Sequence, residues 1–415
     1  MSEIEEDSVS ITSLPPEIYW NIFKLLPVSQ LLNCRAVSTQ WKDIIDELIN
    51  SQEFWRRQCE VDFKSVYNDA HKKSLTDLSF QELYRSLHLW SRLSEATEEQ
   101  DEFCPASIVR DEIRGLKLLQ NGIIGVHKRA GILYYDVATL KPARRESVSG
   151  DYDSYLENDS VIVLRDQTYR VIVYSKDENK VSHLTIPQIK YYLLADDVVY
   201  YVSMGDDMYM YSAKKKVLTE LGACTEGVLT VGICDNKLHI LTCERCIYTV
   251  QDNGKLQLSL RIDSETNLMT VLYQYNMLRH LDWRLFFQWM FLLNQSVPQG
   301  LLQDIIIMHV HSNVVFVGTN WGVLRIYYKP FQMGKFDIFN SVPIKQYNFM
   351  ERFDCPVLSM CQILSIECLE IRDGHIVLVA MPKKIVIISY KHNFSTSTAG
   401  TAALQGFNET IINVD

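Results

Sequence analysis

Residues 11–55 read ITSLPPEIYWNIFKLLPVSQLLNCRAVSTQWKDIIDELINSQEFW, and the stretch divides into three short helical pieces. Pro15 and Pro16 stand where prolines open a helix, because the first amide groups of a helix have no internal partner to lose. Ile18, Ile22, Leu25 and Leu26 recur at helical spacing until Pro27 stops the run. A second helix carries Leu31, Leu32 and Val37. A third begins at the cap Ser38 and sets Trp41, Ile44, Ile45, Leu48 and Ile49 on one face. About 40 residues in three helices cannot bury that much apolar surface among themselves, since domains this small need outside help to fold. The surplus is met by the rest of the chain or by another protein.

In order and spacing, Leu14-Pro15, Glu17-Ile18, Ile22-Phe23, Leu26-Pro27, Leu31-Leu32, Cys34-Arg35, Val37-Ser38, Trp41 and Ile44 resemble the F-box motif. The resemblance implies a bridging role: F-box proteins link a target protein to a cullin-RING ubiquitin ligase through the ligase's small adaptor subunit. Carried over residue by residue, it assigns adaptor contacts to Leu14, Pro15, Ile18, Ile22, Leu26, Pro27, Leu31, Leu32 and Trp41. Aliphatic anchors on short, proline-delimited helices suit a desolvated interface core. Trp41 equally suits holding the three helices together.

Working outward, residues 1–10 form an acidic tail, expected to be disordered, without the basic-then-apolar layout of a secretory signal. After the F-box-like stretch, Phe54, Trp55 and Cys59 recur at helical spacing. A further helix over 80–93 puts Leu83, Leu87, Trp90 and Leu93 on one face. Then comes SEATEEQDEF, residues 94–103, which reads as an acidic linker. The expected division is a tail over 1–10, an F-box over 11–55, linker helices and acidic linker over 56–103, and a second domain over 104–415. The net charge of −10 argues against nucleic acid as the main partner. No apolar run reaches the ~18–20 residues that span a bilayer, so no membrane partner is expected. Ten cysteines without a signal peptide read as reduced thiols, which points to the cytoplasm and/or nucleus. Cys243 and Cys246 form a CxxC with no companion pair, whereas a structural zinc site wants four ligands. The pair reads as a strand-turn placement, and neither metal nor cofactor is expected.

From about residue 104 the chain becomes short strands rich in Val, Ile, Leu and Tyr, separated by Asp, Asn and Gly turns. Hairpins start at 122, 160, 198 and 237, spaced by 38, 38 and 39 residues, and the next at 314 is 77 further on. A period near forty with four strands per unit is the pattern of β-propeller blades. Seven blades fit 115–390, of which the fifth, about 266–302, is illegible. It contains RHLDWRLFFQWMFLL, which reads as a bulky strand pair or as a helical insertion, the latter giving six blades. The stretch 341–366 reads as a long inter-blade loop, and 105–109 as the outer strand that closes the ring. The blades resemble those of WD-repeat proteins in period and strand count but lack the Trp-Asp dipeptide.

In such a propeller the turns between second and third strands share one face. Here they carry Lys128 and Arg129, Asp166, Asp206 and Asp207, Arg245, Asn320 and Trp321, and Lys383 and Lys384. Lys128, Arg129, Arg245, Trp321, Lys383 and Lys384 together suit an acidic or phosphorylated protein segment, held by charge-assisted hydrogen bonds and stacking. Charged residues also favour turns for their own sake. Asp196-Asp197 and Asp206-Asp207 read as turn formers rather than catalytic carboxylates. His309 and His311 share a strand face with no third ligand near them in sequence. There is no nucleophile-elbow or phosphate-loop motif. The expected protein is a non-catalytic substrate receptor of a cullin-RING ligase, or else an F-box scaffold that does not direct degradation.

Overall fold

The computed structural model describes residues 14–75, 78–105, 111–176, 183–235, 237–251, 253–292, 304–351 and 361–393; the acidic tail lies outside them. Six helices come first: α1 (Pro16–Phe23), α2 (Val28–Cys34), α3 (Thr39–Ile49), α4 (Gln52–Asp62), α5 (Tyr67–Lys73) and α6 (Phe80–Leu89), which a 3-10 turn extends over Trp90–Glu95. Local chemistry sets their ends. Pro15 and Pro27 precede α1 and α2, and the Ser38 hydroxyl accepts from the Trp41 amide at 3.2 Å. A reciprocal Ser79–Glu82 capping box starts α6. The module has its own core: Tyr19, Phe23, Leu31, Ile45, Leu48, Phe54, Trp55 and Cys59 are buried against Leu83, Tyr84 and Leu87 of α6.

The remainder is a β-propeller. Six four-stranded antiparallel sheets are present among the described residues. Their inner strands are Ile113–Leu118 (blade 1), Tyr152–Glu157 (blade 2), Ile189–Ala195 (blade 3), Val228–Cys234 (blade 4), Ile305–His311 (blade 5) and Ser365–Ile371 (blade 6). From blade 1 to blade 4 each inner strand touches the next, and those of blades 5 and 6 touch each other and return to blade 1. In five blades the first-to-second-strand turn holds a residue at positive φ: Asn121, Asp196, Asp235, Ser312 and Asp373, at 48–61°. Four of the five are Asn or Asp, which tolerate that conformation best after glycine. Of the aspartates expected to form turns, Asp196 and Asp206 adopt this conformation.

Between blades 4 and 5 the described residues form helices, so the seven-sheet count is not found there. Helices α7 (Leu268–Gln274) and α8 (Trp283–Leu292) flank a 3-10 turn, Leu278–His280, which contacts the inner strands of both neighbouring blades. Leu272, Leu278, Trp283 and Phe286 are buried with Leu241 and Ile247 of blade 4 and Met308 and Val315 of blade 5. A propeller blade meets its neighbour through side chains, not backbone, so an apolar helical wedge fills the same gap. Gly232 permits the close approach: a Cβ there would stand 2.6 Å from the Tyr275 carbonyl oxygen.

Ring closure differs from the sequence reading. The outer strand of blade 6 is Thr97–Phe103, paired antiparallel with Ile385–Lys391 from Thr97↔Lys391 to Phe103↔Ile385. The stretch expected to be a linker is therefore the closing strand, and the expected boundary after residue 103 falls at the end of that strand. Of the expected closing residues 105–109, all but Pro105 lie outside the described residues. Likewise Lys345–Asn348, read as part of a long loop, is the outer strand of blade 5.

The helices are not a separate body. They sit on the face formed by the first-to-second-strand turns: Leu75 packs on Gly122, Lys64 pairs with Asp235 at 2.6 Å, and Arg85 pairs with Asp373 at 3.3 Å. Trp90 and Leu93 are buried in one cluster with Phe316, Cys368 and Val377 of blades 5 and 6. At the centre of this joint lies Glu370, fully buried. Ser86 Oγ (2.5 Å) and His375 Nδ1 (2.7 Å) face one carboxylate oxygen, while Trp90 Nε1 and His311 Nε2 (both 2.9 Å) face the other. A chain starting at residue 104 keeps the other strands but loses the closing strand and these helical donors. It is expected to aggregate or to lose a cooperative melt by circular dichroism, whereas a chain starting at residue 14 melts cooperatively; a monodisperse, fully stable 104–415 fragment would refute the closure.

Candidate functional site

Helix α1 carries large apolar residues on both its buried and its exposed face. Tyr19 and Phe23 turn inward, where Trp41 packs on them with ring centroids 5.7 and 5.1 Å away. Ile18 and Ile22, one turn apart, face solvent at 43% and 39% exposure, joined by Leu25 at 63% and Val37 at 64%. Of the expected adaptor contacts, Pro15 and Pro27 are also exposed, while Leu14, Leu26 and Trp41 are half-buried against the helical core. Leu31 and Leu32 are core residues and offer no surface anchor. The surface left over is an aliphatic strip on α1, extended by residues at the ends of α2.

The cationic set on the opposite face does not form an open pocket. Lys128 is buried in an ion pair with Asp111 and also donates to the Pro105 carbonyl at 3.2 Å. Lys384 is buried and donates to Glu102 at 3.0 Å; Lys383 lies 3.6 Å from Glu112 and Arg129 3.6 Å from Asp151. Arg245, at φ 63°, donates to the Asp263 carbonyl at 2.5 Å. Trp321 keeps 43% exposure, its indole N–H donating to Asp304 at 2.7 Å. The structure does bring the blade 1 and blade 6 turns together through the adjacent residues Asp111 and Glu112. Most of these groups fasten a turn to a residue flanking an inner strand, which is a structural role.

The charged lining of the central channel was not anticipated. It holds a cavity of about 210 Å³ lined by Arg114, Lys117, Arg279, His280, His309 and Glu367, among others. Glu367 Oε1 accepts from Lys117 Nζ at 3.0 Å and from Arg279 Nη2 at 3.1 Å. One carboxylate thus ties blade 1, blade 6 and the helical wedge across the channel. Burial pushes Lys117 down to about 8, helped by Arg279, and pushes His280 down to about 3. Burial would raise Glu367, but Lys117 and Arg279 outweigh it and hold the carboxyl well below its usual range. On one side the channel is approached by α5, whose Asp69 feels Lys117 and Arg279 beyond its own partner Lys73. The only sequence signal was a charge interrupting otherwise apolar inner strands, IRGLKL and SIECLEI.

A helical module docked on one face of a closed β-propeller defines the class. Residues 11–61 match the F-box-like family model, so the chain carries an F-box-like domain, extending through most of α4, ahead of its propeller. No curated protein matches the chain. Among solved structures it is similar to the N-terminal domain of Nup159, at 7% identity and TM-score 0.45, covering 72% of this chain and 96% of that one. It is also similar to the computationally designed Ika8 protein, at 11% identity and TM-score 0.29, over 67% and 70% of the two chains. A structure of S. cerevisiae Dbp5 bound to Nup159 matches at 7% identity and TM-score 0.39, over 72% and 96%. Likenesses that loose carry no argument, and the propeller assignment rests on strand order. No helix among the described residues is long and apolar enough to cross a membrane.

The channel makes its own prediction. Glu367→Gln leaves Lys117 and Arg279 facing each other without a counter-charge and is expected to cost about 3–5 kcal/mol. Lys117→Met keeps Arg279 on Glu367 and is expected to cost much less, the two being compared by urea unfolding at neutral pH.

Proposed function

We propose that this protein is a non-catalytic substrate receptor of a cullin-RING ubiquitin ligase, working in the cytoplasm and/or nucleus. Its α1 strip binds the ligase adaptor, and through it the cullin, and its propeller binds a protein target. The observation that carries the reading is the solvent-facing row Ile18, Ile22 and Leu25 inside a segment matching the F-box-like family. A soluble protein gains nothing from exposing aliphatic side chains in a row unless a partner covers them. The helices occupy the first-to-second-strand face of the propeller, which leaves the second-to-third-strand face, with Trp321 and Arg129 exposed on it, for the target. An acidic or phosphorylated segment suits that face only where it displaces the internal carboxylate partners of Arg129 and Lys383.

Ile18→Asp with Ile22→Asp tests the adaptor contact. Both residues are exposed, so the melting temperature should hold while adaptor co-purification falls by more than ~100-fold, two interface anchors at roughly 2 kcal/mol each. Undiminished co-purification would overturn the reading. Adaptor binding without any protein accumulating when the chain is depleted would favour the non-degradative scaffold instead.

A further inference from the structure

His309 and His311 lie two apart on the inner strand of blade 5, so their side chains share one face; Cys368 and Glu370 do the same on the neighbouring inner strand of blade 6. The two faces meet in the seam between the blades. There the ligand-bearing atoms of His309, His311 and Cys368 all lie within 4.8 Å of one another, and all three residues are buried. Cys368 Sγ stands 3.7 Å from His309 Nε2. Ligands on a tetrahedral zinc, at ~2.3 Å for sulfur and ~2.0–2.1 Å for nitrogen, are about 3.5 Å apart. The third ligand absent from the neighbourhood in sequence is thus supplied across the seam.

We propose that His309, His311 and Cys368 supply three ligands to a zinc ion that staples blade 5 to blade 6, the fourth position being left to a water from the channel cavity that His309 lines. Imidazole and thiolate donors together suit zinc, which is borderline-soft and content with tetrahedral geometry. His311 is already oriented to serve as a ligand, because its Nε2 faces Glu370 at 2.9 Å and leaves the other ring nitrogen for a metal. A carboxylate behind a ligating histidine fixes the tautomer and makes the ring a better donor. Zinc on the other nitrogen would sit across the imidazole ring from Glu370, with His311 still donating Nε2–H to that carboxylate. Adjacent blades share no hydrogen-bonded ladder here, so a metal would add to the His311–Glu370 hydrogen bond in joining their inner strands.

The full chain, purified without chelator, should contain about one zinc per molecule by plasma mass spectrometry. Replacing zinc with cobalt(II) should produce a thiolate-to-metal charge-transfer band in the near ultraviolet. Cys368→Ser should abolish the band and weaken metal binding by more than the ~10–100-fold that loss of an outer partner costs; Cys243→Ser, in the CxxC, should change neither. Should Cys368→Ser fail to fold, the cobalt spectrum of the unaltered chain still decides. No zinc together with no charge-transfer band would overturn the proposal and leave a hydrogen-bonded imidazole–thiol pair. A band lost in Cys243→Ser but kept in Cys368→Ser would equally overturn it, moving the metal to the CxxC.

Discussion

The structure turns on one buried carboxylate. Glu370 is reached by donors from α6 and the turn after it, from blade 5 and from blade 6, and no water is needed to satisfy it. A charge in that position is tolerable only while all its partners are in place. The helices cannot swing away from the propeller without stranding Glu370. Trp90 adds to this, stacking on His375 at 3.8 Å while its edge serves the carboxylate. The F-box-like module is therefore rigidly set on the propeller rather than hung from it by a tether.

That rigidity gives the two surfaces a fixed relation. The α1 strip projects from a module seated on the first-to-second-strand turns, and the Trp321 side of the propeller faces the other way. For the proposed receptor role, a body without a hinge would hold a target at a set position relative to the ligase with little entropy to lose on binding. Glu367 works to the same end within the ring, tying the helical wedge to blades 1 and 6 where a seventh sheet would otherwise stand.

Much of this was legible beforehand. The strand-pair pattern marked all six sheets, and the helical phase of Leu83, Leu87, Trp90 and Leu93 named residues that are all buried. The failures share a cause. TEEQDEF shows no apolar alternation because an outermost strand has little to bury, and its partner lies at the other end of the chain. Lys128 and Lys384 read as available cations because nothing in the local sequence shows that Asp111 and Glu102 hold them. On α1 and α2, Ile18 and Leu31 are the same kind of residue in the same kind of pattern; only packing separates the one that faces out from the one that faces in. The His–Cys cluster was half visible for the same reason, since period two exposes one strand's contribution and says nothing of the strand beside it.

The closing strand sets a problem of timing during synthesis. Thr97 leaves the ribosome long before Lys391, 294 positions later, whose carbonyl its hydroxyl meets. Until then it is a sheet edge in waiting, the kind of segment that pairs with the wrong neighbour. Glu98, Glu99, Asp101 and Glu102 make it repel its own copies, so it stays dissolved while five blades are made. Three of these carboxylates, on Glu98, Glu99 and Glu102, then find Lys345, Lys391 and Lys384 on the late-arriving strands. A charge pattern that guards the strand while it is alone thus becomes, at the end, the address by which its partners recognise it.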